Sequence, residues 1–245
     1  MTFTFPAAAL DWLLVNCGSS LLVLADSMAL PSHLARRGYQ VYAVHRDANR
    51  LRAAQGTANL ELVAARGAEL PFSDCHFDAV IVHQVFPDIA PGLALPELAR
   101  MLRPEGNLLI SHLSRDSSVP WVKRLSELMH SLDAAAMSAP SVEEALADAQ
   151  ESQYFCDVES QDFRHWELVT QPAMLEMVAA TEAVTRLDDA RRQHFLDLVK
   201  QVYSQAAGFN TLRLPYRLRC WRGRVVRDGP DGPDNSRDPA LVIPL

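Results

Sequence analysis

Short, continuous runs of apolar residues alternate with helix-like patterns along the first half of the chain. Such runs are typical of strands buried on both faces, as in a parallel sheet. They predict five strands, at residues 21–25, 39–44, 60–64, 78–83 and 107–113. Apolar residues at helical spacing predict the helices, at residues 6–15, from a turn after 25 to 37, at 48–55 and at 92–102. Strand and helix in alternation predict a doubly wound α/β domain.

The pattern changes after residue 114. Helices are predicted at residues 119–132, from about 142, at 172–184 and at 188–205. The helix near 142 has a capping-box pattern, S-x-x-E, formed by Ser141 and Glu144. Two late strands are predicted at residues 154–169 and 212–220, the second because leucine and arginine alternate there. Residues 228–239 are polar and rich in glycine and proline, so they predict a flexible tail.

Composition narrows the function classes. The 245 residues carry a net charge of −7, which argues against a nucleic-acid or membrane-surface partner. Four scattered cysteines without a C-x-x-C pair predict reduced thiols, as in cytoplasmic proteins. No lysine or arginine precedes Arg36, and the apolar run near residue 20 is too short and too interrupted to span a bilayer. We therefore expect a soluble cytoplasmic protein.

Three stretches in the middle and late chain carry a family resemblance. They are GAELPFSDCHFDAVIVHQVF at 67–86, PELARMLRPEGNLLISHLSRDSSVPW at 96–121, and LPYRLRCWR at 214–222. In order and spacing they resemble the A-E-x-L-P loop, the E-x-x-R-v-L-r-P-G-G segment and the last strand of the class I S-adenosylmethionine (SAM)-dependent methyltransferases, specifically the type 11 group. The resemblance extends from Phe5 to Arg222.

The resemblance implies a Rossmann-like, seven-stranded, mostly parallel sheet with an antiparallel hairpin at one edge and a helical cover. Residues 1–227 would form one domain, with a core at 5–114 and the cover and late strands at 115–227, followed by a tail at 228–245. Residues 115–150 and parts of the late helices would cover the substrate side. The implied cofactor is SAM, and the implied substrate is a small molecule that accepts a methyl group.

The same resemblance implies a cofactor site at the carboxyl ends of the first, second and fourth strands and in the loop at 67–69. Its residues are Leu24, Ala25, Asp26, Met28, His45, Ala68, Glu69, His83 and Gln84. No catalytic residue and no metal ligand are assigned. His83 and His112 end adjacent predicted strands and could line one pocket.

This site departs from the family pattern. Aligned back from Gly38, the family's acidic-x-Gly-x-Gly-x-Gly motif falls on residues 22–28 and has neither its acid nor its three glycines. His45 stands where the family has a carboxylate that accepts two ribose hydroxyls, and P-G-G becomes P-E-G at Glu105. We expect the side chains of Leu24, Asp26 and Met28 to project into the SAM volume.

Three interpretations follow. The protein is a methyltransferase with an altered cofactor loop, a non-catalytic methyltransferase-like scaffold, or a binder of another ligand. A homo-oligomer or a protein partner is compatible with each. If the changes are drift in an unused site, SAM binding is lost, because several missing contacts of about 1–3 kcal/mol each exceed a micromolar affinity of about 8 kcal/mol.

Overall fold

The computed structural model describes residues 5–65, 70–89, 91–132, 142–207 and 211–226. Seven strands form one sheet within these ranges. In chain order they are β1 Ser20–Ala25, β2 Gln40–His45, β3 Leu60–Ala64, β4 Phe77–His83, β5 Leu102–Arg115, β6 Phe155–Val169 and β7 Leu212–Val225. Each of the seven predicted strands is therefore present.

The sheet has the strand order β3-β2-β1-β4-β5-β7-β6. The first five strands pair in parallel, whereas β7 is antiparallel to both β5 and β6. This confirms the predicted Rossmann-like sheet with an antiparallel pair at one edge. The strand order reverses at β1 and β4, so the carboxyl ends of these strands form the crevice where ligands bind in such folds.

Nine helices lie in the described part of the chain. They are α1 Ala7–Leu13, α2 Ala29–Arg36, α3 Ala48–Arg52, α4 Pro91–Met101, α5 Pro120–His130, α6 Val142–Glu151, α7 Gln171–Ala179, α8 Glu182–Thr185 and α9 Asp189–Ala207. Helices α1 and α2 pack on one face of the sheet. Helices α4 and α6 pack on the other face, against apolar residues of β4, β5 and β7. The sheet is therefore the middle layer of three.

A separate group of helices, which we call the cap, consists of α5, α7, α8 and α9. The cap has its own hydrophobic cluster, which includes Val122 and Leu125 of α5 and Phe195 and Val199 of α9. Leu212 and Leu214 of β7 join the same cluster, so the cap is anchored at the carboxyl edge of β5. Helix α6 packs with α4 on the sheet, so the expectation that all of residues 115–150 cover the substrate side is wrong for α6.

Two element boundaries differ from the sequence expectation. The turn predicted at 103–106 belongs to β5, whose pairing with β4 is irregular there. Within it Glu105 has φ +65°, a conformation that favours glycine, which is consistent with its alignment to the first glycine of the family's P-G-G. The helix predicted at 172–184 is two helices, α7 and α8. Ser141 of the capping box and the predicted tail lie outside the described residues.

Gly18, in the loop before β1, approaches the carboxylate of Asp78 closely. That carboxylate accepts the N–H of Ser20 at 2.9 Å and a hydrogen bond from Arg103 at 2.7 Å. Although burial acts to raise it, these hydrogen bonds hold the pKa of Asp78 below its ordinary value. A Cβ on residue 18 would lie 2.3 Å from Asp78 Oδ2. Any residue other than glycine at position 18 would therefore displace the Asp78 side chain.

We expect Gly18→Ala to lower the free energy of unfolding by about 1–3 kcal/mol, because Asp78 must move and give up its bonds. Denaturant unfolding measures the change. The control is Ser19→Ala at the exposed neighbouring position, which we expect to stay within about 0.5 kcal/mol of the unaltered protein. Equal stability of the two variants would contradict the close approach.

Candidate functional site

The end of β1 and the turn that leads into α2 contain four of the predicted cofactor residues. Leu24 packs in the cluster of β1, β2 and β4, and Met28 packs against Ala43 and Leu51; each side chain is only 8% exposed. Ala25 is buried on the other face of the sheet. The expectation that Leu24 and Met28 project into the cofactor volume is therefore wrong, since both point into the hydrophobic core.

The backbone of this turn needs no glycine. None of residues 24–28 has a positive φ, so each is in a conformation that L-residues adopt without strain. The backbone conformation of residues 24–28 allows the side chains of Leu24 and Met28 to be buried. Leu24 and Met28 therefore do not obstruct a ligand at the carboxyl ends of the strands, because both side chains are buried in the core.

Asp26 is the exposed residue of the turn. Its backbone carbonyl accepts a hydrogen bond from Nη1 of Arg50 at 2.9 Å, which joins the turn to α3. Partial desolvation raises the pKa of the Asp26 carboxyl, and the charges of Arg50 and His45 oppose this rise. The turn therefore places a carboxylate at the carboxyl end of β1, beside two groups of positive or potentially positive charge.

His45 ends β2 and is half-buried. Its Nδ1 accepts the backbone N–H of Asp47 at 2.9 Å. In the neutral ring the proton is then on Nε2, which can donate one hydrogen bond to a ligand. The carboxylate of Asp47 caps α3 by accepting the N–H of Asn49 at 2.9 Å. The carboxylate two residues beyond this strand end is thus engaged in helix capping.

His83 ends β4 and is buried. Its Nδ1 lies 2.9 Å from Oγ of Ser111, and the ring of Phe5 contacts it edge-on at 5.4 Å. Burial, with a smaller effect from His112, lowers the pKa of His83 to about 4. His112 follows Ser111 along β5 and so points to the opposite face of the sheet. The expectation that the two histidines line one pocket is therefore wrong.

Gln84 follows β4 and holds the end of that strand against β5. Its amide nitrogen donates to the carbonyl of Leu113 at 3.2 Å, and its amide oxygen accepts the N–H of Leu113 at 3.0 Å. With φ +69°, the residue leaves the strand in a left-handed conformation. Its side chain thereby continues the sheet ladder at the crevice. The predicted cofactor residues Ala68 and Glu69 lie outside the described residues.

A cleft of about 630 Å³ lies between the carboxyl ends of β4 and β5 and the cap. Helix α5 lines it with side chains spaced i, i+3, i+4 and i+7, which share one face of a helix. The strands contribute Gln84, Leu113, Arg115 and Tyr216. The α5 residues are Lys123, Ser126, Glu127 and His130. Sequence reasoning missed this polar face, although its spacing was a signal that could have shown it.

Arg115 ends β5 and lines the cleft, and Asp116, which follows it, lines a neighbouring cavity. The Nε of Arg115 is buried and has no hydrogen-bond partner among the described residues, while its Nη2 lies 3.8 Å from the sulfur of Met177 in the cap. Asp116 accepts the N–H of Ser118 at 3.1 Å. Hydrogen bonds from Ser118 hold the pKa of Asp116 below its ordinary value. Asp116 therefore shapes the turn into α5.

The described residues contain no group of three or more side chains that could hold a metal ion. Among the helices of the described ranges, none has the length and apolar character needed to cross a membrane. The strand order that reverses at β1 and β4, together with the cleft between the sheet and α5, defines a class I methyltransferase-like protein.

Comparison with known proteins agrees with this class. A family model described as a methyltransferase domain matches residues 27–110. An uncharacterised methyltransferase of Mycobacterium tuberculosis is 30% identical over 229 residues, which cover 91% of this chain and 90% of the relative. The chain therefore belongs to the methyltransferase family. The family match begins at Ser27, inside the stretch 22–28 that departs from the glycine motif.

Solved structures share the fold at low sequence identity. A type II methyltransferase structure from Anaeromyxobacter dehalogenans has a TM-score of 0.65 at 17% identity, and covers 93% of this chain and 100% of that chain. A structure from Anabaena variabilis, described as a methyltransferase of antibiotic biosynthesis, has a TM-score of 0.65 at 17% identity, covering 87% of this chain and 94% of that chain.

Proposed function

We propose that the protein is a SAM-dependent methyltransferase that acts on a small molecule and holds SAM in a rebuilt cofactor loop. The observation that carries the proposal is the burial of Leu24 and Met28, because it removes the two bulkiest obstacles to the cofactor. A distant structural neighbour, a Haemonchus contortus phosphoethanolamine N-methyltransferase with a TM-score of 0.52 and 13% identity, is described in complex with S-adenosylhomocysteine (SAH). That complex supports the choice of cofactor.

The residues at the crevice can meet the polar groups of SAM without glycines. The Asp26 carboxylate can accept hydrogen bonds from the ammonium of the methionine moiety, since opposite charges attract. His45 can donate one hydrogen bond from Nε2 to a ribose hydroxyl, where the family carboxylate would accept two. The weaker ribose contact predicts a lower affinity than in relatives that keep the acid.

Bound SAM would supply a methyl group activated on a sulfonium sulfur. The chain's own contribution is then to hold the acceptor in the cleft between the sheet edge and α5, in line with that methyl group. Glu127 and His130, one turn of α5 apart, are the cleft groups that can take the proton the acceptor loses.

The second candidate function is a non-catalytic scaffold. The exposed Asp26 carboxylate favours it, because the motif alignment puts this residue near the carboxylate of SAM, and like charges repel. In this case the crevice would hold neither SAM nor SAH.

Calorimetric titration with SAM and SAH distinguishes the two functions. For the methyltransferase we expect a Kd of about 100 μM or tighter, which is about −5.5 kcal/mol. Asp26→Ala should weaken binding if the carboxylate holds the ammonium group, and strengthen it if the carboxylate repels SAM. The control is Asp148→Ala at an exposed position of α6. Absence of binding at millimolar SAM by the unaltered protein would contradict the proposal and support the scaffold.

A further inference from the structure

A second cavity of about 560 Å³ adjoins the cleft, and we call it the basic groove. It lies over the carboxyl end of β5 and the middle of β7. Its lining contains four cationic side chains and one acidic side chain, Asp116. The cations are Arg115, Lys123, Arg217 and Arg219. This local positive charge contrasts with the net charge of −7 of the whole chain.

The sheet register fixes two of these arginines side by side. Arg217 pairs with Ser114 across β5 and β7, and Arg219 pairs with His112. Residues two apart on a strand point to the same face, so both guanidinium groups project from one face of the sheet. A rigid strand therefore presents two guanidinium groups that can hold an anion together.

Both arginines lie beside the same carboxylate. Asp162 on β6 lies 3.1 Å from Arg219 and 3.9 Å from Arg217, so one carboxylate serves two guanidinium groups. The carboxylate of Asp116 is engaged with the N–H of Ser118. Among the described residues, the groove lining and Asp162 together contain four cations and two carboxylates.

The basic groove and the cleft are continuous, because both are lined by Arg115, Lys123 and Ser114. Gln84 at the end of β4 and Arg217 on β7 are separated by β5, which corresponds to two strand spacings, or roughly 10 Å. A small molecule of this length could place its methyl-accepting atom near Gln84 and its other end among the arginines.

We propose that the methyl acceptor carries an anionic group, a carboxylate or a phosphate, and that the basic groove binds this group. The proposal rests on the proposed function, since it assigns the substrate class of the same site. Arg217 and Arg219 bind the anion, and Lys123 adds a third positive charge from α5. The groove thereby orients the acceptor so that its uncharged end lies in the cleft.

The test uses inorganic phosphate and benzoate as probes, with the full chain at low ionic strength and without SAM. Titration followed by calorimetry or NMR should give a Kd of millimolar order. We expect the double variant Arg217→Gln/Arg219→Gln to weaken binding at least tenfold. The matched control is Arg224→Gln, since Arg224 lies on the same strand, is exposed to a similar extent (39% against 42% and 34%) and is also ion-paired. Circular dichroism establishes that both variants are folded.

Each outcome decides the proposal. Tighter binding of phosphate than of benzoate assigns a phosphate ester, and the reverse assigns a carboxylate. Unchanged binding in the double variant, or an equal loss in Arg224→Gln, would overturn the groove as the site. Tighter binding of a short single-stranded oligonucleotide than of phosphate through the same arginines would overturn a small-molecule acceptor. Because the probes are tested without SAM, failure to bind SAM leaves the anion site standing and contradicts the proposed function alone.

Discussion

Returning positions 24 and 28 to the family's glycines is expected to unfold the protein rather than to restore a cofactor site. Leu24 and Met28 are each 8% exposed and belong to two different hydrophobic clusters. Removal of a buried leucine or methionine side chain costs about 2–5 kcal/mol, and each glycine adds about 0.5–1 kcal/mol of backbone entropy. Together Leu24→Gly and Met28→Gly should remove about 5–12 kcal/mol from a typical stability of about 5–15 kcal/mol.

Guanidinium unfolding followed by circular dichroism measures this loss. The matched control is the pair Asp26→Gly and His45→Asp, which restores the motif at an exposed and a half-buried position and leaves both clusters intact. We expect this control pair to lose less than about 2 kcal/mol. A loss below about 2 kcal/mol for the two core substitutions would show instead that Leu24 and Met28 are not packed as described.

The two pairs also change how the cofactor motif should be repaired. Sequence reasoning alone favours reverting Leu24, Asp26, Met28 and His45 together, because each is then taken as an obstacle in one pocket. The structure divides them into two core residues and two residues at the crevice. Only the reversion of Asp26 and His45 is therefore an informative variant for SAM binding.

The central strands of the sheet were predictable because β1 and β4 are buried on both faces. Residues 60–64 were also predicted as a strand and form β3 with the same bounds, although their side chains are half-buried or exposed. The continuous apolar run that ends at His83 likewise marked β4. A strand buried on both faces has a continuous apolar run, which can be recognised without knowing its neighbours in the sheet. The antiparallel pairing of the late strands was predicted from the family resemblance.

The direction of side chains in the turn was not predictable. Alignment assigned Leu24 and Met28 to positions of glycines, and it assumed that the backbone follows the family path. The actual path depends on whether the core can bury these two side chains, and that is a property of β2, α3 and β4 together. The backbone path of the turn therefore cannot be predicted from the sequence of residues 22–28 alone.

The cleft between the sheet and α5 was missed for a related reason. Its lining joins Gln84 to α5 and to Tyr216, which are far apart in the chain. The alternating arginines of β7 predicted a half-buried strand, but their charge acquires a role only beside Lys123 of α5. Contacts between the cap and the sheet bring these residues together, so their proximity cannot be predicted from any single segment of the sequence.

The protein is expected to lose about 3 kcal/mol of stability between pH 6.5 and pH 4 because of His83. The pKa of this histidine falls from 6.5 to about 4 on folding, since burial opposes the charged ring. Between these pH values the unfolded chain binds more protons than the native chain, so the free energy of unfolding decreases as the pH decreases. Above pH 6.5 His83 causes little loss in the free energy of unfolding. The size of the loss at lower pH follows from the difference between the two pKa values, because a tenfold change in proton affinity corresponds to about 1.4 kcal/mol.

Urea unfolding at a series of pH values, compared between the unaltered protein and His83→Gln, isolates this effect. Glutamine does not titrate and can still reach Oγ of Ser111, so we expect a flatter dependence on pH in this variant. His45→Gln is the control, because His45 is half-buried at the crevice and lies outside the core around β4. Carboxylates such as Asp78 and Asp116 have lowered pKa values and lose their contribution at more acidic pH, so they affect both proteins alike. An equal slope in His83→Gln would show that His83 is not buried as a neutral ring against Ser111 and Phe5.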